Sequence, residues 1–283
     1  MKYFLSIIFL FLTQSLYVFG QKNSEDLPEY GLVLSGGGAV GFAHAGALLA
    51  LEEAGIKISV ISGASMGSII AAMYAYGYSP QDMINILKKE KLYKKSKIFN
   101  LKLFSKNGLS NHKKIERILN NVFPIDNFDS LKIFFALSMT NFIELKTEYA
   151  FSGDKLKEKI LASISIPSIF EPQIIDGIPY IDGGVMNNLP IEPIRDKCKK
   201  VIMIDVVAPN CNSNTSGKVN IGYRAGLAMM KQSNIDRINL ADFYIPLEKL
   251  EQFNVLSFEK YKEIIQIGYE CMKKYLEEHP ELK

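Results

Sequence analysis

Two glycine-rich stretches have residue types and spacing that suit nucleophilic catalysis and the binding of negative charge. The first, Gly36 to Gly41, reads GGGAVG and contains the G-x-G-x-x-G spacing of a dinucleotide-binding turn. The second, Gly63 to Gly67, reads GASMG and places Ser65 at the centre of a G-x-S-x-G pattern. Between a strand and a helix, that pattern holds a serine in a strained turn with its hydroxyl exposed. Attack on a carbonyl carbon is therefore the chemistry to test first.

The first glycine stretch can be interpreted in two ways. A dinucleotide site needs an acidic residue at the end of the second strand, where it binds a ribose hydroxyl. The second strand candidate ends at residues 60–63, which read VISG and hold no Asp or Glu. Glycine amides can instead approach a reacting carbon without a Cβ clash and stabilise the oxyanion that forms there. We expect the second role, and nucleotide binding remains the alternative.

A nucleophilic serine needs a base, and the chain has three histidines as candidates for that role. His44 falls in the first turns of the helix after the glycine stretch, where packing explains it. His112 follows a helix-capping pair and is expected at the surface, and His279 lies in a polar tail. The order Ser65, Asp205, His279 fits a hydrolase triad along the chain. A histidine so near the end of the chain is a poor buried base.

Asp182, in the stretch IDGGVMNN, is the other candidate base. An Asp-Gly pair often marks a turn, but Asp176-Gly177 already supplies the turn of a predicted hairpin. Asp182 then ends the returning strand, and Gly183 and Gly184 leave space beside it. A carboxylate of ordinary pKa is a weak base, so it would act through geometry and exclusion of water.

The elements that must position these residues alternate between strand and helix. A strand is predicted over Tyr30–Ser35, a helix over Phe42–Ala54, a strand over Ile56–Ser62 and a helix over Met66–Tyr76. This order predicts a parallel sheet with helices on its faces. Residues 81–122 are predicted as helices and loops, and residues 210–219 as a polar loop. The later predicted strands are Ile133–Thr140, Lys146–Phe151, the hairpin Gln173–Asp182 and Lys200–Val206, and the later helices are Lys155–Ser163, Tyr223–Lys231 and Phe258–Glu278.

Composition excludes several classes of protein. With 283 residues and 48% hydrophobic residues, the chain can build one large α/β domain. It has 33 basic and 30 acidic residues, so no strong field points to nucleic acid. Its three cysteines are widely spaced, which suggests neither a disulfide framework nor a metal site.

The N-terminal 20 residues have the pattern of a signal peptide. Lys2 precedes an apolar run, and the small residue Gly20 precedes an expected cut near Gln21. No cysteine lies near the cut, so a lipoprotein anchor is not expected. An uncleaved anchor is the alternative. The sequence therefore predicts an exported protein, periplasmic or secreted, in solution or held at a membrane.

Three motifs in order resemble the patatin-like phospholipase family: Gly36 to Gly41, Gly63 to Gly67, and Asp182-Gly183-Gly184. The stretches ALLALEEAGI, ILASISIPSIFEP and MNNLPIEPI look like the same family. The resemblance runs from about Tyr30 to about Glu277. It divides the chain into a signal peptide (1–20), a short leader (21–29), a patatin-like domain (30–277) and a polar tail (278–283).

The resemblance implies a three-layer α/β/α fold with a mostly parallel central sheet. It also implies hydrolysis of lipid acyl esters by a Ser–Asp dyad, without histidine, metal or another cofactor. Ser65 would be the nucleophile and Asp182 the proton acceptor. The implied oxyanion hole is Gly36, Gly37 and Gly38, and the glycines that support the motifs are Gly41, Gly63, Gly67, Gly183 and Gly184.

Some alternatives remain open within this resemblance. Many bacterial members carry Lys or Arg where this chain has Val40, so a preference for phospholipid over neutral ester is not implied. Transfer of the acyl group to another alcohol, or lipid binding without turnover, would use the same motifs.

A lysine-rich segment suggests a membrane partner. Residues 88–106 hold eight lysines, one glutamate and several aromatic or aliphatic residues. Such a segment suits a cap that lies on an anionic lipid surface. A solvated loop or helix over the site is the alternative interpretation.

Overall fold

The computed structural model describes residues 26–98, 110–208 and 221–282. The described strands are β1 (Tyr30–Leu34), β2 (Ile58–Gly63), β3 (Phe134–Asn141), β4 (Lys146–Ala150), β5 (Gln173–Ile175), β6 (Ile178–Asp182), β7 (Lys200–Asp205) and β8 (Phe243–Pro246). The described α-helices are α1 (Ala43–Glu53), α2 (Met66–Tyr76), α3 (Pro80–Lys89), α4 (Lys95–Ile98), α5 (Lys113–Val122), α6 (Leu156–Ser163), α7 (Ile221–Ile238) and α8 (Tyr261–Glu278).

The strands form one sheet that is parallel in its centre. Its order is β5-β6-β3-β2-β1-β7-β8, and β4 also pairs with β3. Four neighbouring pairs are parallel: β3 with β2, β2 with β1, β1 with β7, and β7 with β8. The antiparallel pairs are β3 with β4, β3 with β6, and β5 with β6. The mostly parallel α/β fold expected from the sequence is confirmed.

Both faces of the sheet are buried, as expected for parallel strands covered by helices. In β1, Leu32 and Leu34 face the larger apolar cluster, which includes side chains of α1, α2 and α8. Val33 points to the opposite face, into a smaller cluster with Leu189, against which Ile238 of α7 packs. The alternation along β1 thus places helical segments on both sides, which gives the three layers.

The register of the sheet brings the predicted motifs to one edge. Leu34 pairs with Gly63, so the loops that follow β1 and β2 leave the sheet side by side. Gly63 also pairs with Leu137 of β3, and Asp182 at the end of β6 pairs with Met139 two residues further along β3. Asp182 therefore reaches the edge at which the glycine loop and Ser65 lie.

Helices α1 and α8 approach so closely that only glycine fits between them. A Cβ on Gly46 would lie 2.0 Å from the carbonyl oxygen of Ile265, and a Cβ on Gly268 would lie 2.0 Å from that of Ala43. Helix α1 follows the glycine loop in the chain, so the packing of α8 against α1 also restrains the position of the loop.

Two sequence predictions of secondary structure were wrong. Strand β8 was not predicted, since its four residues are too few to show a periodic pattern. Helix α7 spans 221–238 rather than 223–231. The signal peptide, the predicted polar loop over 210–219 and residues 99–106 of the lysine-rich segment lie outside the described residues.

Candidate active site

Ser65 occupies a strained turn between β2 and α2. Its φ is 48° and its ψ is −124°, a backbone conformation that residues other than glycine rarely adopt. The flanking glycines allow the close approach: a Cβ on Gly63 would lie 2.5 Å from the backbone of Gly67, and one on Gly67 would lie 2.4 Å from the carbonyl oxygen of Leu34. The turn is the one expected for a nucleophile between strand and helix.

Ser65 and Asp182 are in direct contact. The Ser65 hydroxyl donates a hydrogen bond of 2.6 Å to Oδ2 of Asp182, and the backbone N–H of Gly184 donates to Oδ1 at 2.8 Å. Both carboxylate oxygens are thereby held in place. Burial raises the pKa of Asp182 to about 7, against the opposing effect of these two hydrogen bonds. Such a carboxylate is a far better proton acceptor at neutral pH than an ordinary one.

Two serines, Ser163 at the end of α6 and Ser165 just after it, bond the backbone of this pair. The hydroxyl of Ser163 accepts a hydrogen bond of 3.0 Å from the backbone N–H of Ser65. The carbonyl oxygen of Ser165 accepts one of 3.0 Å from the backbone N–H of Asp182. The residue pattern predicts a helix that ends at Ser163, but strand and helix periodicity do not reveal these two contacts.

The glycine loop lies against Ser65. A Cβ on Gly36 would lie 2.9 Å from Cβ of Ser65, and one on Gly41 would lie 2.5 Å from Cγ of Met66. The backbone N–H of Gly36 donates to Oδ1 of Asn188 at 3.0 Å, so it is not free to bind a substrate oxygen. Of the three glycines expected in the oxyanion hole, Gly37 and Gly38 therefore remain as candidate donors.

The backbone amides of Gly37 and Gly38 have no hydrogen-bond acceptor within the ranges that the structure describes. Gly38 has a φ of 55°, and a Cβ there would lie 2.5 Å from the carbonyl oxygen of Val255. The next amide, of Ala39, donates to that same oxygen at 2.9 Å, which anchors the loop. Two adjacent amides thus remain without an acceptor among the described residues, and Gly38 lines the same pocket as Ser65.

Asp182 is followed by a turn that also requires glycine. A Cβ on Gly183 would lie 2.1 Å from the carbonyl oxygen of Ser138 on β3. Thr140, on the same strand, donates from its hydroxyl to the carbonyl oxygen of Asp182 at 2.9 Å. Strand β3 therefore fixes the backbone on which the carboxylate is carried.

None of the three histidines contacts Ser65 or Asp182. His44 is buried and bonds the carbonyl oxygen of Ser35 at 2.8 Å, and His279 bonds Glu281 at 2.9 Å on the surface. His112 contacts the hydroxyl of Ser165 at 2.9 Å.

The expectation that His112 lies at the surface was wrong. The ring is buried and stacks on Phe170. Burial lowers the pKa of both His44 and His112 to about 4, so both rings are neutral at pH 7.

Asp205 does not belong to this arrangement. Its carboxylate accepts hydrogen bonds from the backbone N–H groups of Val207 and Ala208 and from the hydroxyl of Tyr244. It caps the turn after β7, so the triad order Ser65, Asp205, His279 has no counterpart in the fold.

Ser65 lies in the wall of an apolar pocket. Its empty volume is about 1030 Å³, with the solvent at its mouth included. The walls come from α2, α3 and α5, from the segment after α6 and from residues 255–258, and Ser65 is the one polar side chain among the lining residues. Examples are Met73, Leu87, Ile115, Leu119, Ile164 and Phe258. A pocket with this volume and an almost wholly apolar lining fits a hydrocarbon chain.

The lysine-rich segment borders this pocket where the structure describes it. Leu92 and Ile98 line the pocket, whereas the lysines between 88 and 97 are exposed. Lys95 pairs with Glu259 at 3.8 Å. The segment thus turns apolar side chains inward and positive charge outward.

Within the described ranges, no group of His, Cys, Asp or Glu side chains could hold a metal ion. Among the helices of those same ranges, none is long and apolar enough to cross a membrane.

Similar proteins are found among curated sequences and solved structures. The lysophospholipase nte1 of Aspergillus fumigatus is 27% identical over 278 residues, which cover 87% of this chain and 18% of the relative. The lysophospholipase NTE1 of Saccharomyces cerevisiae is 24% identical over 282 residues, which cover 87% of this chain and 16% of the relative. The chain thus spans less than a fifth of the length of these relatives.

Two solved bacterial proteins also resemble the chain. VipD from Legionella pneumophila has a TM-score of 0.48 at 15% identity, with 90% of this chain and 67% of that chain covered. ExoU from Pseudomonas aeruginosa, solved with SpcU, has a TM-score of 0.46 at 20% identity, with 89% and 52% covered. The family model of patatin-like phospholipases matches residues 32–195. Since this match covers more than half of the sequence, the chain belongs to the patatin-like phospholipase family of lipid ester hydrolases.

Proposed function

We propose that this protein is a serine lipid acyl hydrolase in which Ser65 is the nucleophile and Asp182 the general base. The observation that carries the proposal is the 2.6 Å hydrogen bond from the Ser65 hydroxyl to Asp182, at a strained turn that opens into an apolar pocket. The acyl chain of the substrate occupies the pocket, and the ester carbonyl lies beside Ser65.

The reaction proceeds in two steps. Oγ of Ser65 attacks the ester carbon while Asp182 takes up its proton, and the oxyanion is stabilised by the amides of Gly37 and Gly38. The tetrahedral intermediate collapses to an acyl-serine, and the leaving alcohol receives the proton from Asp182. Water then attacks the acyl-serine and gives a proton to Asp182. The bond between the acyl carbon and Oγ breaks, the fatty acid leaves, and Oγ of Ser65 takes the proton back from Asp182. Transacylation would differ only in that another alcohol replaces water.

The substrate class is proposed from the pocket and from the names of relatives. The fungal relatives are named lysophospholipases, so a phospholipid with one acyl chain is the first substrate to test. Val40 is apolar and buried, so neutral esters belong in the same comparison. We further propose that the exposed lysines of residues 88–97 hold the pocket against an anionic lipid surface.

The test is hydrolysis of fluorogenic lysophospholipid and neutral esters by the wild type, Ser65→Ala and Asp182→Ala. We expect both variants to lose about 10³-fold or more in kcat, since the two residues act as a unit. Ser152→Ala, which removes an exposed hydroxyl, is the control and should match the wild type. A folded wild type that cleaves none of these esters would instead indicate lipid binding without turnover.

A further inference from the structure

We infer that Asn188 is a positioning residue, whose carboxamide oxygen sets the glycine loop against Ser65 and Asp182. The catalytic part of this inference rests on the proposed function. Asn188 is fully buried, in the segment that follows the Asp182 turn. Its Oδ1 accepts the hydrogen bond from Gly36 described above, across 152 residues of sequence.

The same oxygen lies close to both the glycine loop, at Gly36, and the turn after Asp182, at Gly184. A Cβ on Gly36 would lie 2.6 Å from Oδ1 of Asn188, and a Cβ on Gly184 would also lie 2.6 Å from it. The same Cβ on Gly184 would lie 3.1 Å from Oδ1 of Asp182. One carboxamide oxygen therefore borders both the loop that faces the nucleophile and the turn that holds the base.

This contact decides which amides remain free. By accepting from Gly36, Asn188 fixes the first peptide of the loop, and the next two amides are left without an acceptor among the described residues. Preorganised donors stabilise an oxyanion most when they need not reorient during the reaction. A loop held only by its glycines would lack this restraint, because glycine has the most conformational freedom to lose.

The unused half of the carboxamide supports a role beyond packing. Nδ2 of Asn188 is buried and has no hydrogen-bond partner in the described parts of the chain. An unsatisfied buried donor lowers the stability of the folded state, so such groups need an explanation. An apolar residue here would avoid the unpaired donor, but it would also remove the acceptor that holds the amide of Gly36.

The neighbouring Asn187 provides a matched control. Its Nδ2 donates to Tyr149 and Glu192, and its Oδ1 accepts from the backbone N–H of Leu189. All of these contacts lie outside the glycine loop. Asn187 is thus a structural amide one residue away from the proposed positioning amide.

The test compares Asn188→Ala, Asn188→Asp and Asn187→Ala in pH profiles of ester hydrolysis. For Asn188→Ala we expect kcat to fall at least about 10-fold with KM changed less than about 2-fold, because the loss lies in transition-state stabilisation. Asn188→Asp keeps an acceptor for Gly36 but adds a negative charge beside Asp182. The acid limb of its profile should therefore move up by about one pH unit. Asn187→Ala should lower the melting temperature and leave the acid limb in place.

A second readout does not depend on turnover. In ¹H–¹⁵N spectra, the Gly36 amide should shift upfield and exchange faster in Asn188→Ala, while Asn188→Asp should preserve its protection. An unchanged Gly36 signal in Asn188→Ala, or wild-type kcat in that variant, would overturn the inference. If the wild type cleaves no ester, the proposed function fails, and the Gly36 signal still decides whether Asn188 positions the loop.

Discussion

Asp182 is a carboxylate whose surroundings favour its protonated form. Burial raises its pKa to about 7, well above the ordinary value of 3.8 that applies to the unfolded chain. The folded protein therefore binds this proton more tightly than the unfolded chain between about pH 4 and pH 7. The stability that this group contributes is present below about pH 4, and it is lost as the pH rises to about 7.

This shift predicts that Asp182→Asn is more stable than the wild type at pH 8. Up to about 1.4 kcal/mol of unfolding free energy is at stake for each unit of pKa shift, and the neutral amide does not incur this loss. Urea unfolding of both proteins at pH 5 and pH 8 measures the difference. The difference in unfolding free energy between the two proteins should increase from pH 5 to pH 8, and a constant difference would contradict the raised pKa.

The raised pKa of Asp182 also predicts the pH dependence of activity. In the active wild type, the acid limb of kcat/KM should lie near pH 7 rather than near pH 4.

At the scale of elements, the site depends on how α1 and α8 approach each other. The glycine loop leads directly into α1, which packs against α8 through Gly46 and Gly268. The backbones touch at these positions, so neither helix can shift without moving the loop. This packing transmits the position of a C-terminal helix to the amides beside Ser65.

We predict that Gly268→Ala destabilises the protein by about 3 kcal/mol or more. The added Cβ would lie 2.0 Å from a backbone oxygen, and overpacking against backbone cannot be relieved by a change of rotamer. Thermal and urea unfolding measure the effect. Lys262→Ala, on the exposed face of the same helix, is the control and should change stability by less than about 0.5 kcal/mol. Equal stability of the two variants would show that the helices can separate at little cost.

At the scale of the whole molecule, the apolar pocket and the exposed lysines share one border. Leu92 and Ile98 line the pocket, and the lysines around them are exposed. A lysine near an anionic bilayer contributes about 1 kcal/mol of binding free energy, and salt screens that attraction. This arrangement would present the pocket to a membrane from which a lipid can enter.

We predict that replacing Lys89, Lys91 and Lys94 with Ser weakens binding to phosphatidylserine vesicles by at least about 10-fold. Vesicle sedimentation at low salt measures the loss, and added salt should reduce wild-type binding. Hydrolysis of a monomeric ester should stay unchanged, since none of these lysines lines the pocket.

The control for this prediction removes the same charge elsewhere. Lys262, Lys273 and Lys274 are exposed on α8, and their replacement with Ser should leave vesicle binding within about 2-fold of the wild type. If both triple variants lose the same affinity, net charge rather than the segment beside the pocket controls binding.

Much of the fold and part of the site could be predicted from local patterns. The alternation of strand and helix from Tyr30 to Tyr76 specified parallel pairing, because such order leaves few other ways to bury both faces of a strand. The glycines around Ser65 and after Asp182 indicated close turns, since the residue types themselves carry that information. Strand β8 has only four residues, which is too short to show a periodic pattern.

Residue types and their spacing show which side chains have the right chemistry, and the packing of distant segments sets how these side chains are used. Ser65 and Asp182 lie 117 residues apart, and their contact depends on the register of β6 against β3. The pKa of Asp182, the burial of His112 and the contact of Asn188 with Gly36 also arise from segments distant in the chain. Desolvation and long-range hydrogen bonds depend on what packs around a group, and a local pattern records only its neighbours along the chain.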